Sequence, residues 1–207
     1  MSGVNHPSDL VLAAYAGGHL RPAFHLVAAA HVRGCAHCRA ELRMLEEVGG
    51  ALLSGLEPAE MAPDALARAM ARIETAAQPI ELAETDLRDL LSQLKLKPRR
   101  RLAPGVWMAP VDLQGQGDDL LYVLRIPAGS RTFAHGHDGR EFTAVLKGAY
   151  RDDSGRYRAG DFQEVGAGHE HQPVVEPEGE CICLIASEAP MRMHSRLGRL
   201  AQLYMNV

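Results

Sequence analysis

The chain has 207 residues, 46% of them hydrophobic and 23% charged, with a formal net charge of -4. That balance excludes global disorder and allows one or two packed domains; it supplies no basic field for bulk nucleic-acid binding. No apolar run reaches the roughly 18 residues of a membrane span, and MSGVNHPSDL has no basic-then-apolar leader, so the expected location is cytoplasmic.

Residues 1–76 are rich in Ala, Leu, Glu, Arg and Met and read as a small all-α domain. Ser8 is a plausible N-cap, followed by Leu10, Val11, Ala14 and Tyr15 at helical spacing. Gly17-Gly18 stops that helix. A second helix is expected from Pro22 to His31 or Val32, broken by Gly34. A third starts near Cys35 and runs through Leu42, Leu45 and Val48 to Gly49-Gly50 or slightly beyond. A fourth begins around Pro63-Asp64 and carries Leu66, Ala69, Met70 and Ile73. The core of such a domain is thin, and a metal staple would compensate for it.

The staple is legible at the junction of the second and third helices. His31-x3-Cys35-x2-Cys38 places two thiols so that the turning chain brings both onto one ion. His31 sits about one helical turn upstream. Three soft or borderline ligands within eight residues suit tetrahedral zinc. A thiol redox pair is the competing reading. Four cysteines in two close pairs, with no leader, fit metal or redox thiols better than a disulfide scaffold. For a fourth ligand His6, His19, His25 and His37 are available. His37 would have to fold back over its own turn, and His25 points to another face. His6, on a lead-in before the first helix, is the favoured choice.

Residues 77–98 read as a linker. Within it, Leu87, Leu90, Leu91 and Leu94 give the spacing of an amphipathic helix ended by Pro98. Arg99-Arg100-Arg101 reads as a solvated charge run. Residues 99–195 shift to Val, Ile, Tyr, Phe and Thr with frequent Gly, and residues 196–207 form a tail. Strands are expected at Leu120–Ile126, Phe142–Leu146 and Cys181–Ile185. Turn signals recur at Asp153-Ser-Gly, Ala159-Gly-Asp, Gly166-Ala-Gly and Glu178-Gly. Many short strands separated by glycine turns point to a sandwich or barrel.

A second ligand set lies in this half. His135, His137 and Glu141 share strand parity and therefore one face. His171 follows about 30 residues later, with His169 competing for its role. Three imidazoles and a carboxylate on an inner face would hold a divalent metal. Zinc, manganese, iron and nickel are all compatible with these ligand types. Cys181 and Cys183 also share a face. They are either packed thiols or a possible redox pair whose disulfide would be strained.

These residues carry two resemblances. Gly129-x5-His135-x-His137-x3-Glu141-x6-Gly148 matches the first cupin motif. Gly160-x5-Gly166-x-Gly168-x2-His171 resembles the second, with Gly166 where Pro is usual and Val175 where Asn is usual. The N-terminal His-x3-Cys-x2-Cys with an upstream His resembles the zinc-binding anti-sigma domain. In combination they resemble the ChrR family of cupin-type anti-sigma factors over nearly the whole chain. The resemblance implies an α+β multidomain architecture: the helical domain followed by an antiparallel, jelly-roll-like β-barrel. It implies zinc at His6, His31, Cys35 and Cys38, and a metal, with zinc the expected ion, at His135, His137, Glu141 and His171. It further implies a cytoplasmic, non-enzymatic regulator that binds an extracytoplasmic-function sigma factor in a one-to-one complex. Release would follow singlet oxygen or organic peroxide stress, with no direct contact to nucleic acid or membrane.

Leu52, Leu53, Leu66, Met70 and Ile73 are the expected partner-facing residues, with burial in the domain's own core as the alternative. Two other functions compete. One is a metal-dependent cupin enzyme, a dioxygenase or isomerase. The other is a thiol switch in which Cys35 and Cys38 oxidise and lose zinc.

Overall fold

The computed structural model describes residues 5–75, 91–115 and 117–193. Four helices come first: α1 (Asp9–Ala16), α2 (Pro22–Gly34), α3 (Ala36–Ser54) and α4 (Ala65–Thr75). Ser8 caps α1 by accepting a hydrogen bond from the Val11 amide, and Gly17 ends it. Pro22 opens α2 at the position where a missing N–H costs nothing. Gly34 is the last residue of α2 rather than a break before it, so Cys35 alone separates α2 from α3. α3 runs through Gly49-Gly50 to Ser54, because the good helix formers around the pair outweigh a cost of about 1 kcal/mol per glycine. Of the expected amphipathic helix at 86–96, residues 86–90 lie outside the described residues; 91–93 are helical, and Leu96 instead forms an antiparallel bridge with Val111.

Among the described residues, twelve strands follow in three antiparallel sheets. The first contains β1 (Arg100–Ala103), β2 (Val106–Pro110), β3 (Leu120–Ile126), β5 (Glu141–Lys147), β8 (Phe162–Val165) and β11 (Cys181–Ser187), in the order β1-β2-β3-β11-β5-β8. The second is β6 (Ala149–Asp152) between β7 (Gly155–Arg158) and β10 (Val174–Val175). The third is β4 (His135–His137) between β9 (Glu170–His171) and β12 (Met191–Met193). This is a cupin-like, β-rich fold with a small helical N-terminal region.

The two faces of the six-stranded sheet enter two different cores, as a period of two requires. Leu121, Val123, Phe142, Ala144, Phe162, Ile182, Leu184 and Ala186 pack with Phe24, Val27 and Ala28 of α2. Tyr122, Ile126, Val145, Cys181, Cys183 and Ile185 pack on the other side with Met108, Tyr150, Tyr157 and Val175. The Phe24 and Phe142 rings meet edge to face at 4.9 Å. The helical segment and the sheet therefore share a core, with no break in packing between α2 and the strands. Arg21 ties the start of α2 to the strand region through Asp119 at 2.8 Å and Glu188 at 2.6 Å.

Gly148 illustrates what the first glycine-bounded motif encodes. Its φ is +73°, and a Cβ there would sit 2.2 Å from the Glu180 carbonyl oxygen. Only glycine allows both the left-handed turn and that close approach.

Candidate metal centres

The first cluster is assembled by the α2–α3 junction and the lead-in to α1. The donor atoms of His6, His31, Cys35 and Cys38 all lie within 4.8 Å of one another. His6 Nδ1 is 3.4 Å from His31 Nε2 and 3.4 Å from each thiol sulfur, and His31 Nε2 is 3.3 Å from Cys38 Sγ. Metal–nitrogen bonds of about 2.0 Å and metal–sulfur bonds of about 2.3 Å give tetrahedral N···N and N···S edges of roughly 3.3–3.5 Å. The donor set and its spacing therefore fit one four-coordinate ion. Burial lowers the His31 pKa to about 4, with the Gly160 carbonyl beside it offsetting part of that effect, so the ring stays a neutral ligand. Burial, then the Cys35 thiol, pushes Cys38 up to about 12; a cation in the cluster would replace that proton. His37 is exposed, its ring 4.6 Å from that of His6. Cys35 Sγ also accepts from the Cys38 amide at 3.5 Å, as the N-cap of α3.

The second cluster is formed by β4 and β9, which lie side by side with His135 opposite His171. His135, His137 and His171 are all buried, with donor atoms within 4.8 Å of one another. His171 Nε2 lies 3.0 Å from Nε2 of His137 and 3.0 Å from Nε2 of His135. Tautomers follow from the outer nitrogens. His135 Nδ1 donates to the Phe133 carbonyl at 2.8 Å, and His171 Nδ1 donates to Asp152 Oδ2 at 2.7 Å. His137 Nδ1 faces Glu141 Oε2 at 3.6 Å. His135 and His171 then each turn an unprotonated Nε2 inward. Lone pairs facing one another in a buried site would be balanced by a cation, with the outer partners of these two rings fixing their orientation. An edge of 3.0 Å is the cis edge of an octahedron with bonds of about 2.1 Å.

Glu141 lies beside this trio rather than within it: its carboxylate is outside the mutually close donor set, against the far nitrogen of His137. Burial raises its pKa to about 8, against the pull of the Thr143 hydroxyl. His169 joins a different grouping, with Asp152 and His171. A cavity of about 190 Å³ opens onto His135, Glu141 and His171. Its remaining walls are mainly apolar, among them Met108, Tyr122, Phe133, Ile185 and Met193. Cys183 lines it too, with its sulfur 3.6 Å from that of Cys181; both thiols are buried.

Asp152 and Gln163 escaped the sequence reading. Asp152 stands just before the Asp153-Ser-Gly turn signal, and nothing local marks it as the partner of a histidine 19 residues away. Gln163 Nε2 donates to Asp152 Oδ2 at 2.8 Å and its Oε1 accepts from the Tyr150 hydroxyl at 2.6 Å.

The five apolar residues singled out on α3 and α4 are all exposed: Leu52 70%, Leu53 72%, Leu66 73%, Met70 50% and Ile73 69%. Leu56 and Met61 between the helices are exposed as well. Among the described residues these side chains do not form a core. Among the described residues, no helix is long and apolar enough to cross a membrane.

The chain thus combines a cupin-like fold with a His/Cys cluster on an N-terminal helical segment, a donor set compatible with metal binding. The family model described as the ChrR cupin-like domain matches residues 88–190. The anti-sigma-E factor ChrR of Cereibacter sphaeroides is 36% identical over 210 residues, 98% of each chain. The crystal structure of Rhodobacter sphaeroides SigE in complex with the anti-sigma ChrR matches at a TM-score of 0.73 and 38% identity, covering 89% of this chain and 98% of that one. The chain belongs to the ChrR family.

Proposed function

We propose that this protein is an anti-sigma factor that binds and inhibits an extracytoplasmic-function sigma factor in a one-to-one complex. The observation that carries this is the exposed row Leu52, Leu53, Leu66, Met70 and Ile73 on α3 and α4. Its support is the likeness over nearly the whole chain to a protein named as an anti-sigma factor. Apolar side chains at helical spacing, left uncovered, suit packing against helices of a partner. The role is regulatory, in the cytoplasm, and the output is transcriptional without contact to DNA.

In this reading His6, His31, Cys35 and Cys38 hold a structural zinc, whose chemistry is that of a fixed four-bond junction. His31 and Cys35 thereby lock the end of α2 to the start of α3. The second ion, taken as zinc, is held by His135, His137 and His171, with Glu141 within reach through His137. The strands around it curl as a jelly-roll barrel, and residues 99–195 act as the sensory unit. Residues 1–76 are the inhibitory unit, joined by the 77–98 linker. The stimulus is oxidative, singlet oxygen or an organic peroxide, reaching the cavity beside the second cluster. Cys183 belongs to the same wall, with the Cys181 sulfur 3.6 Å behind it.

Co-expression with the cognate sigma factor tests the reading. A one-to-one complex on size exclusion and repressed transcription in a reconstituted assay are expected. Failure to form a complex, with transcription unchanged, overturns it.

A further inference from the structure

The two faces of β8 are linked to the two clusters from opposite sides. On the cavity face, Gln163 is bonded to Asp152, and Asp152 to the outer nitrogen of His171. On the helix face, the Phe162 ring lies 5.7 Å from the His31 ring. The Phe162 amide donates to the Asn5 carbonyl at 2.9 Å. Asn5 immediately precedes His6, and its side-chain amide donates to Asp161 Oδ2 at 3.0 Å and to the Arg156 carbonyl at 2.9 Å. Three residues on, the Ser8 hydroxyl donates to Glu164 Oε2 at 2.9 Å. Residues 5–8 thus form a strap fastened to β8 and to the turn before it.

We propose that β8 couples the two clusters: Asn5, Asp161 and Gln163 are positioning residues through which the state of the His135–His137–His171 trio sets how firmly His6 and His31 hold their ion. The route is short. An ion in the trio fixes His171, whose Nδ1–H orients Asp152. Asp152 holds Gln163, and one backbone step leads from Gln163 to Phe162. Phe162 then meets both the strap carrying His6 and the ring of His31. Emptying the trio frees His171 and Asp152, so the constraint on β8 relaxes and the strap follows. Coupling of this kind is reciprocal in binding free energy. The inference rests on reading both clusters as metal sites, and metal content tests that separately.

The test uses the full-length zinc-loaded chain and compares wild type, His135→Ala, Gln163→Leu and the double variant. His135 is a member of the trio and stands on β4, so its loss removes one of the three inward nitrogens. The readouts are zinc per chain, the rate of zinc transfer to a chromophoric chelator, and iodoacetamide labelling of Cys35 and Cys38 followed by peptide mass. His135→Ala is expected to speed release and labelling at the N-terminal cluster by about fivefold or more, the lower range of measured couplings. In the Gln163→Leu background the same change is expected to have less than about a twofold effect, because the link is already cut. If Gln163→Leu impairs folding by circular dichroism, Asn5→Ala takes its place in the cycle. Unchanged release in His135→Ala overturns the proposal. An equal effect in the Gln163→Leu background also overturns it and moves the coupling to residues 77–98. Wild-type chain holding fewer than two zinc ions overturns the metal reading itself.

Discussion

Phe24 of α2 and Phe142 of β5 meet edge to face at 4.9 Å, and both are essentially excluded from solvent. Through this pair the helix that carries His31 is seated on the sheet whose opposite face lines the cavity. Truncation at Phe24 leaves a void between the two layers. Phe24→Ala is expected to destabilise the chain by about 3–5 kcal/mol. Urea unfolding followed by circular dichroism measures this, and a loss under about 1 kcal/mol would mean that α2 does not rely on the sheet.

Arg21 makes ion pairs with Asp119, whose side chain is 2% exposed, and with Glu188. Burial raises the Asp119 pKa, with the Arg21 guanidinium pulling it back. Removing the half-exposed cation takes that balance from a buried carboxylate, so Arg21→Ala should cost about 1–2 kcal/mol at neutral pH. The sign with pH follows. The pair stabilises only while Asp119 is ionised, and its loss matters less as pH falls through the raised folded value. Tm differences between wild type and variant should therefore narrow from pH 7 towards the acid range.

The exposed row on α3 and α4 separates binding from folding. Leu52→Glu or Met70→Glu should change stability by no more than about 0.5 kcal/mol, since both side chains already face solvent. Each should weaken the sigma-factor complex at least tenfold by titration calorimetry. Undiminished affinity in both variants would move the interface elsewhere.

Asp152 accepts from His171 Nδ1 at 2.7 Å and fixes its tautomer. Asp152→Asn offers a weaker acceptor and is expected to lower affinity of the second cluster for its ion by about 10–100-fold. Chelator competition on full-length protein reads this out. Cys38→Ser, in contrast, should reduce zinc content by one equivalent while the trio keeps its own.

Gly148→Ala combines a φ of +73° with a contact of 2.2 Å to the Glu180 carbonyl oxygen. Backbone must move to relieve it. A loss of about 2 kcal/mol or more is expected from thermal unfolding.

Local chemistry was the legible part of this chain. Ser8, Pro22 and Gly17 mark helix ends because caps are short-range. His31, Cys35 and Cys38 come together because one turn of backbone dictates it, and His135 and His137 share a face because strand parity dictates it. The seating of α2 was not anticipated, although its signal was present. Cys181–Ala186 is an unbroken apolar run, which calls for cover on both faces of the strand, and the second cover is α2. The Asp152–His171 and Asn5–Phe162 links join residues far apart in the chain and carry no periodicity, so no pattern exposes them. Glu141 shares parity with the histidines, yet parity fixes only the face. The distance between β4 and β5 decides whether its carboxylate reaches the trio.

Cys35 stands alone between α2 and α3, capping the start of α3 with the same sulfur that joins the first cluster. α3 extends 19 residues from that point, a rod of roughly 28 Å. A rotation of roughly 10° about its base carries the far tip, where Leu52 and Leu53 sit, through roughly 5 Å, about the width of a side chain. A sub-ångström adjustment at one sulfur is thus geared up into a misaligned grip at the other end of the lever.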